Sequence, residues 1–109
     1  MLENHKLKEL INKFKEQLQN LYQERLYKII LYGSYSRGTA TQNSDIDFLV
    51  VLKDEKISLN KEIDNITDAI FQLLLACKID ISFLPMSKQK FETEKSPLLF
   101  YVRKEGIEI

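Results

Sequence analysis

The chain has 109 residues, with 16 Lys and Arg against 16 Asp and Glu, so its formal net charge at pH 7 is zero. Such a balance gives no overall basic field to attract nucleic acid, which disfavours a polymerase or an RNA-binding protein. One cysteine excludes an internal disulfide, and no apolar run approaches the ~18 residues of a membrane span. We expect a single domain over residues 1–109, in the cytoplasm, with no membrane contact and no direct nucleic-acid binding.

The first elements are predicted to be a helix and then a strand. Apolar residues at helical spacing predict an amphipathic helix over residues 3–24, and an apolar run predicts the first strand over residues 26–32. His5, the only histidine, falls in the first turn of that helix. We expect an exposed polar side chain there rather than a metal ligand, because no second His or Cys accompanies it.

Two further strands are predicted on either side of a long helix. The second strand covers residues 45–53, where β-branched and aromatic residues favour extended backbone. Ser58 can cap a helix over residues 59–77. The third strand then covers residues 79–84, until Pro85 ends it. A helix of this length is what a parallel connection between two strands requires.

The C-terminal part of the chain is predicted to be mainly helical. A short helix is predicted over residues 87–93, and Ser96 followed by proline predicts the start of a last helix that stops at Gly106. Alternating apolar residues from Ile107 onwards allow a short fourth strand. Cys77 follows a periodic apolar segment, so we expect it in the core.

Residues 33–47 connect the first two strands and read Gly-Ser-Tyr-Ser-Arg-Gly-Thr-Ala-Thr-Gln-Asn-Ser-Asp-Ile-Asp. On a strand, Asp45 and Asp47 point to the same face with Cα atoms ~6.5 Å apart, whereas on a helix they diverge. Two carboxylates at a buried strand repel each other, and a bound Mg²⁺ removes that repulsion because it prefers oxygen ligands. The alternative is a solvated turn in which Ser44 and Asp45 merely cap the strand, which is the commoner fate of an isolated Asp-x-Asp.

The turn before the carboxylates has features that suit a phosphate. Gly33 lets the backbone approach a ligand closely, and the residues after it can form a helical turn whose free N–H groups favour an anion. Ser34 adds a hydroxyl donor. The alternative is an ordinary Gly-Ser turn.

Two other motifs are excluded because this sequence lacks a residue that each of them requires. A Walker phosphate loop needs Lys after the second glycine, but Thr39 follows Gly38. A nucleophile elbow needs glycine two residues before its serine, but Ser34 stands there before Ser36. The distant His5 gives little support to a Ser-His triad.

The combined pattern is more specific than its parts. Gly33-Ser34, followed after ten residues by Asp45-Ile46-Asp47, resembles the signature of the DNA polymerase β-like nucleotidyltransferase superfamily. The short length and the intervening residues are similar to the minimal nucleotidyltransferase (MNT) domains. The resemblance implies an α/β (α+β) nucleotidyltransferase fold, a small mixed β-sheet with flanking helices. It also implies a third carboxylate on a later strand, and Asp80 occupies a suitable position.

The resemblance further implies Mg²⁺-dependent transfer of a nucleotidyl group, with ATP as substrate and a two-metal site. Asp45 and Asp47 are expected to bind Mg²⁺, and Asp80 is expected to join a second metal and help deprotonate the attacking hydroxyl. Gly33 and Ser34 are expected to hold the β- and γ-phosphates.

Two more residues of this segment are candidates for nucleotide binding. Arg37 can neutralise charge on the phosphates, or it is simply a surface arginine. Ser44 can contact phosphate or orient Asp45, and we favour the second role.

The acceptor that the resemblance implies is a tyrosine on a cognate HEPN-domain toxin. Modification with AMP would silence that toxin, which makes this chain the antitoxin of a HEPN/MNT pair. Two alternatives stay open. One is transfer to a small molecule, as in aminoglycoside nucleotidyltransferases, which usually carry a further substrate-binding domain. The other is a non-catalytic, nucleotide-binding subunit that neutralises its partner by contact alone.

Overall fold

The computed structural model describes residues 4–41 and 43–109. The helices are α1 (Asn4–Tyr22), α2 (Ser34–Arg37), α3 (Leu59–Ala69), α4 (Phe71–Ala76), α5 (Lys88–Thr93) and α6 (Pro97–Glu105), with a 3-10 turn at Gln23–Arg25. The strands are β1 (Leu26–Tyr32), β2 (Ile46–Leu52), β3 (Ile81–Ser87) and β4 (Ile107–Glu108). None of the described helices is long and apolar enough to cross a membrane.

The four strands form one mixed sheet in the order β3-β2-β1-β4. β1 runs antiparallel to both β2 and β4, whereas β2 and β3 are parallel. The predicted mixed α/β sheet is thus confirmed. Its directions follow from the connections: the short segment after β1 reverses the chain, while α3 and α4 carry it back for a parallel pairing.

Helices cover both faces of the sheet, and β2 is the central strand. Apart from Asp47, every residue of β2 is fully buried. On one face α1 and α3 pack through a large core in which the ring of Phe14 stacks on that of Phe48 at 4.0 Å. On the other face Leu49 of β2 packs with Leu99 and Val102 of α6. This two-sided burial explains the almost continuous apolar sequence of β2.

The helix predicted over residues 59–77 is in fact two helices, which is a correction. Ile70 lies between them with φ −102° and ψ 10°, outside helical values, although Ile70 N still donates to Ile66 O at 2.9 Å. No Gly or Pro marks this bend, and Ile70 is completely buried, so packing against the core sets its position. Ser58 precedes α3 as predicted, but its side chain makes no capping hydrogen bond; its backbone carbonyl accepts from Glu62 N at 3.0 Å.

The third strand is also shifted from its predicted bounds. β3 begins at Ile81 rather than at residue 79 and continues through Pro85, which pairs with Val50. The prediction that Pro85 ends the strand was wrong because β3 is an edge strand, where one side of the backbone needs no ladder partner. The predicted cap at Ser96 is confirmed, since Ser96 Oγ accepts from Leu99 N. The short helix predicted from residue 87 begins at Lys88, and Ser87 caps it because Ser87 Oγ accepts from Lys90 N.

The burial of His5 and of Cys77 can be compared with what the sequence predicted. His5 is exposed on α1, as predicted. Cys77 is half-buried rather than fully buried, and it packs at the margin of the larger core.

A buried carboxylate, which no local sequence pattern indicated, links α1 to α3. Glu62 is only 4% exposed. It accepts hydrogen bonds from Tyr22 Oη at 3.0 Å, from Arg25 Nη2 at 2.9 Å and from Asn65 Nδ2 at 3.2 Å. Burial raises the pKa of Glu62, but these hydrogen bonds outweigh burial and leave that pKa below its ordinary value.

Candidate active site

The candidate site lies at one end of the sheet, where β1 ends and both β2 and β3 begin. Tyr32 pairs with Asp47 across the antiparallel strands, and Asp47 pairs with Ser82 across the parallel ones. Residues paired in register point to the same face, so these three side chains form a row across the sheet. On the same face of the sheet, the next residues along β2 pack in the core beneath α6. The site is therefore an exposed end of a well-packed sheet.

Gly33 brings the turn backbone directly against the carboxylate of Asp47. Its φ of 78° and ψ of −157° are values that side-chain-bearing residues rarely adopt. A Cβ atom at this position would overlap Oδ2 of Asp47. Both observations require glycine here, and they place the turn and the carboxylate side by side.

The carbonyl of Gly33 anchors the short helix that follows. It accepts from the backbone N–H of Ser36 at 3.1 Å and of Arg37 at 3.3 Å, and from Ser36 Oγ at 2.7 Å. Ser34, the first residue of α2, is half-buried beside this turn. The predicted Gly-Ser turn into a single helical turn is thus present.

Asp45 and Asp47 flank Ile46 at the start of β2, as the spacing predicted. Burial raises the pKa of Asp47, and the negative charge of Asp45 raises it further. A hydrogen bond from Ser82 and the positive charge of Arg37 act in the opposite direction without cancelling the increase. Two neighbouring carboxylates, one of them partly buried, and a serine hydroxyl form an oxygen-donor set that suits a divalent cation such as Mg²⁺.

Asp80 lies beside this pair through its backbone. Its carbonyl oxygen accepts from Ile46 N at 2.9 Å, one residue before the parallel pairing of β2 with β3 begins. Its side chain is exposed. Within residues 4–41 and 43–109, however, no three His, Cys, Asp or Glu side chains stand close enough together to hold a metal ion. The structure places Asp80 at the same strand end as Asp45 and Asp47, but among the described residues it does not gather the three carboxylates.

Ser82 is a site residue that the sequence reasoning missed. Its hydroxyl hydrogen-bonds to the carboxylate of Asp47. The sequence pattern indicated a polar face, because Asp80 and Ser82 alternate with apolar residues and therefore share a face of the predicted third strand. The register of β2 with β3, which places Ser82 opposite Asp47, was needed to use it.

Ser44 closes the loop that precedes β2. Its Oγ accepts from Thr41 N at 2.8 Å, and its own N–H donates to Thr41 O at 3.1 Å. The hydrogen bonds between Ser44 and Thr41 order the loop before Asp45, and neither of them involves the carboxylate of Asp45. The role of Ser44 at the site, whether it contacts phosphate or orients Asp45, stays a prediction.

Arg37 makes an ion pair that the sequence did not reveal. Its Nη1 donates to Oε2 of Glu105, at the end of α6, at 3.1 Å. These residues lie 68 positions apart, so no local pattern could connect them. The charge of Arg37 also acts to lower the pKa of Asp47, so the guanidinium is within electrostatic reach of that carboxylate.

Comparison with known proteins identifies the family of this chain. The family model described as "Nucleotidyltransferase domain" matches residues 11–105. A curated relative from Methanocaldococcus jannaschii, named "Putative protein adenylyltransferase MJ0141", is 31% identical over 101 residues, covering 93% of this chain and 96% of the relative.

Solved structures share the fold. A crystal structure of a toxin-antitoxin with AMP-PNP aligns with a TM-score of 0.62 at 26% identity, covering 89% of this chain and 69% of that one. Spectinomycin adenyltransferase AAD(9) from Enterococcus faecialis, with ATP and spectinomycin, aligns with a TM-score of 0.60 at 22% identity. It shows the fold alone, and the match spans 83% of this chain but 38% of that protein. The predicted resemblance is therefore confirmed, and the chain belongs to the nucleotidyltransferase domain family.

Proposed function

We propose that this chain transfers AMP from ATP to a hydroxyl group of a partner protein, and that the acceptor is a tyrosine of a HEPN-domain toxin. The observation that carries the proposal is the Asp45–Asp47 pair at the start of the central strand, with the Gly33 turn packed against Asp47. Carboxylates beside a turn of small residues supply the two requirements of the reaction, a cation site and space for phosphates.

The bonding changes are those of a nucleotidyl transfer. The oxygen of the acceptor hydroxyl attacks the α-phosphorus of ATP, the bond from that phosphorus to the β-bridging oxygen breaks, and diphosphate leaves. We assign the role of proton acceptor to Asp80, whose exposed side chain belongs to the same strand end, and the proton passes from its carboxylate to solvent. A tyrosine phenol has an ordinary pKa of about 10, so it needs such a base at neutral pH.

Five residues of the site bind the metal or the phosphates in this proposal. Asp45 and Asp47 hold Mg²⁺, which when bound supplies charge neutralisation for the triphosphate. Gly33 and Ser34 contact the β- and γ-phosphates through backbone and hydroxyl donors. Arg37 faces the same phosphates with a guanidinium that retains several free N–H donors.

The similar proteins support a protein acceptor. The curated relative is named a protein adenylyltransferase, and the structural neighbour with AMP-PNP is a toxin-antitoxin. Transfer to a small molecule is the second candidate, since an antibiotic adenyltransferase shares the fold. It has less support because that enzyme is matched over only 38% of its length. A non-catalytic subunit is the third candidate, and the paired carboxylates argue against it.

The experiment is to incubate the protein with the product of the adjacent gene, ATP and Mg²⁺, and to measure intact masses. We expect the partner to gain the mass of AMP, and Asp45→Asn to abolish that gain. The matched control is Asp68→Asn, an exposed carboxylate on α3, which should leave the gain unchanged. A stable complex that inhibits the partner without any mass change, and equally well with Asp45→Asn, would overturn the proposal in favour of inhibition by contact.

A further inference from the structure

We propose that Glu105 is a positioning residue that holds Arg37 in the orientation needed to bind the nucleotide. The inference rests on the proposed function, because it requires ATP at the site. Its starting point is the ion pair at 3.1 Å between Arg37 Nη1 and Glu105 Oε2, which joins the short helix beside the carboxylates to the far end of α6. Glu105 itself is not expected to contact the substrate.

The two partners differ in how firmly they are held. Glu105 ends a helix whose inner residues Leu99 and Val102 are buried in the core. The next residue, Gly106, packs so closely that a Cβ there would overlap both the carbonyl of Val102 and the side chain of Ile30 in β1. The backbone that carries Glu105 is therefore fixed against the sheet.

Arg37, by contrast, extends from a helix of four residues, and 44% of its side chain is exposed, against 26% for Glu105. A long exposed side chain of this kind samples many rotamers unless something restrains it. The carboxylate of Glu105, carried by a fixed backbone, supplies that restraint. Binding a nucleotide then costs less ordering of Arg37, because the ion pair has already limited its conformations.

The ion pair leaves Arg37 able to bind phosphate. A guanidinium has five N–H donors, and the contact with Glu105 occupies one nitrogen. The charge of Arg37 still reaches Asp47, where it opposes the rise in that residue's pKa. Arg37 thus contacts Glu105 while its charge also acts on Asp47, a carboxylate that we assign to Mg²⁺ binding.

Removing the carboxylate of Glu105 should change the affinity for ATP in opposite directions, depending on whether Glu105 positions Arg37 or acts only through its negative charge. Loss of a negative charge near the site would by itself strengthen the binding of anionic ATP. Loss of positioning would weaken it. We expect Glu105→Ala to raise the Kd for ATP by about 2- to 10-fold, the range that ordering one long side chain represents. Glu105→Gln should fall between wild type and Glu105→Ala, because its amide oxygen still accepts from Arg37.

The test is fluorescence anisotropy with a fluorescent ATP analogue and Mg²⁺ on the full chain, with thermal unfolding measured alongside. Glu108→Ala is the matched control, since Glu108 forms a comparable exposed ion pair with Lys28 at 3.3 Å on β4. We expect its Kd to stay at the wild-type value. We also expect Arg37→Ala and the double variant with Glu105→Ala to give the same Kd, since Glu105 acts only through Arg37.

The outcomes distinguish this inference from the proposed function. If Glu105→Ala binds ATP as well as wild type or better, or weakens binding equally when Arg37 is already alanine, Glu105 does not position Arg37. If wild type itself shows no saturable binding with Mg²⁺, the proposed function fails, and the inference falls with it. A melting temperature for Glu105→Ala close to that of Glu108→Ala would show that a change in Kd is not a consequence of unfolding.

Discussion

Gly33 and Asp47 are in direct contact: the space that a side chain at residue 33 would occupy is filled by Oδ2 of Asp47. The contact joins the end of β1 to the start of β2. It also fixes the distance between the turn that we assign to phosphate binding and a carboxylate that we assign to Mg²⁺ binding.

We predict that Gly33→Ala destabilises the protein and abolishes AMP transfer. The strained φ and ψ cost on the order of 1–3 kcal/mol for a residue with a Cβ, and the overlap forces Asp47 to move. Urea unfolding and a transfer assay check this. The matched control is Gly38→Ala, at φ 72° but with open space around a Cβ, which should lose about 1–2 kcal/mol and keep its activity. Equal losses of activity in both variants would show that the contact with Asp47 is unimportant.

Asp47→Asn should abolish transfer and raise the melting temperature in the absence of divalent cations. Burial and the charge of Asp45 both disfavour ionised Asp47, as its raised pKa shows, so at neutral pH the charged form destabilises the fold. Adding Mg²⁺ should then stabilise wild type more than the variant. Differential scanning calorimetry in EDTA and in Mg²⁺ measures both effects. Transfer at the wild-type rate by Asp47→Asn would contradict the site assignment.

Ser34→Ala should weaken the reaction less than Asp47→Asn does. One hydroxyl contact to a charged phosphate is worth about 1.5–3 kcal/mol, whereas the metal site carries the charge neutralisation itself. ATP titrations of the transfer rate compare the two variants. If Ser34→Ala lost as much activity as Asp47→Asn, the turn rather than the carboxylates would carry the chemistry.

Glu62→Gln should destabilise the fold at neutral pH by about 1.5–3 kcal/mol, because it weakens hydrogen bonds to a buried charge. The pKa of Glu62 is lowered in the folded state, so its stabilisation is present above its ordinary pKa and is lost as pH falls through the lower, folded value. The variant should therefore lose less stability than wild type between neutral and acidic pH. Melting temperatures across that range test this, with exposed Glu55→Gln as the control; identical pH profiles for wild type and Glu62→Gln would contradict it.

The sequence predicted most of the fold and the main parts of the site. Local patterns gave the strands, the Gly33 turn and the Asp45–Asp47 pair because each depends on neighbours in the chain. Local patterns could not predict that the helix breaks at Ile70, because packing against the core sets the position of that residue. They also could not predict the ion pair of Arg37 with Glu105, which lie far apart in the sequence. The continuation of β3 through Pro85 was missed because edge and central strands look alike until the strand order is known.

Ser82 and Glu62 illustrate a second limit on what can be predicted from the sequence. Each is a polar residue whose partner lies on another element, Asp47 for Ser82 and Tyr22 for Glu62. A polar residue on a strand or helix carries no sign of which distant residue it will meet. Their roles depend on strand register and on helix packing, which periodicity alone does not specify.

The most direct test of the central claim uses ATP radiolabelled at the α-phosphate and, in parallel, ATP labelled at the γ-phosphate. Each is incubated with this protein, Mg²⁺ and the product of the adjacent gene, and the proteins are separated on a denaturing gel. We predict that only the α-label becomes attached to the partner, and that Asp45→Asn and Asp47→Asn abolish the labelling. Labelling from the γ-phosphate, or α-labelling that survives in both variants, would contradict AMP transfer at this site.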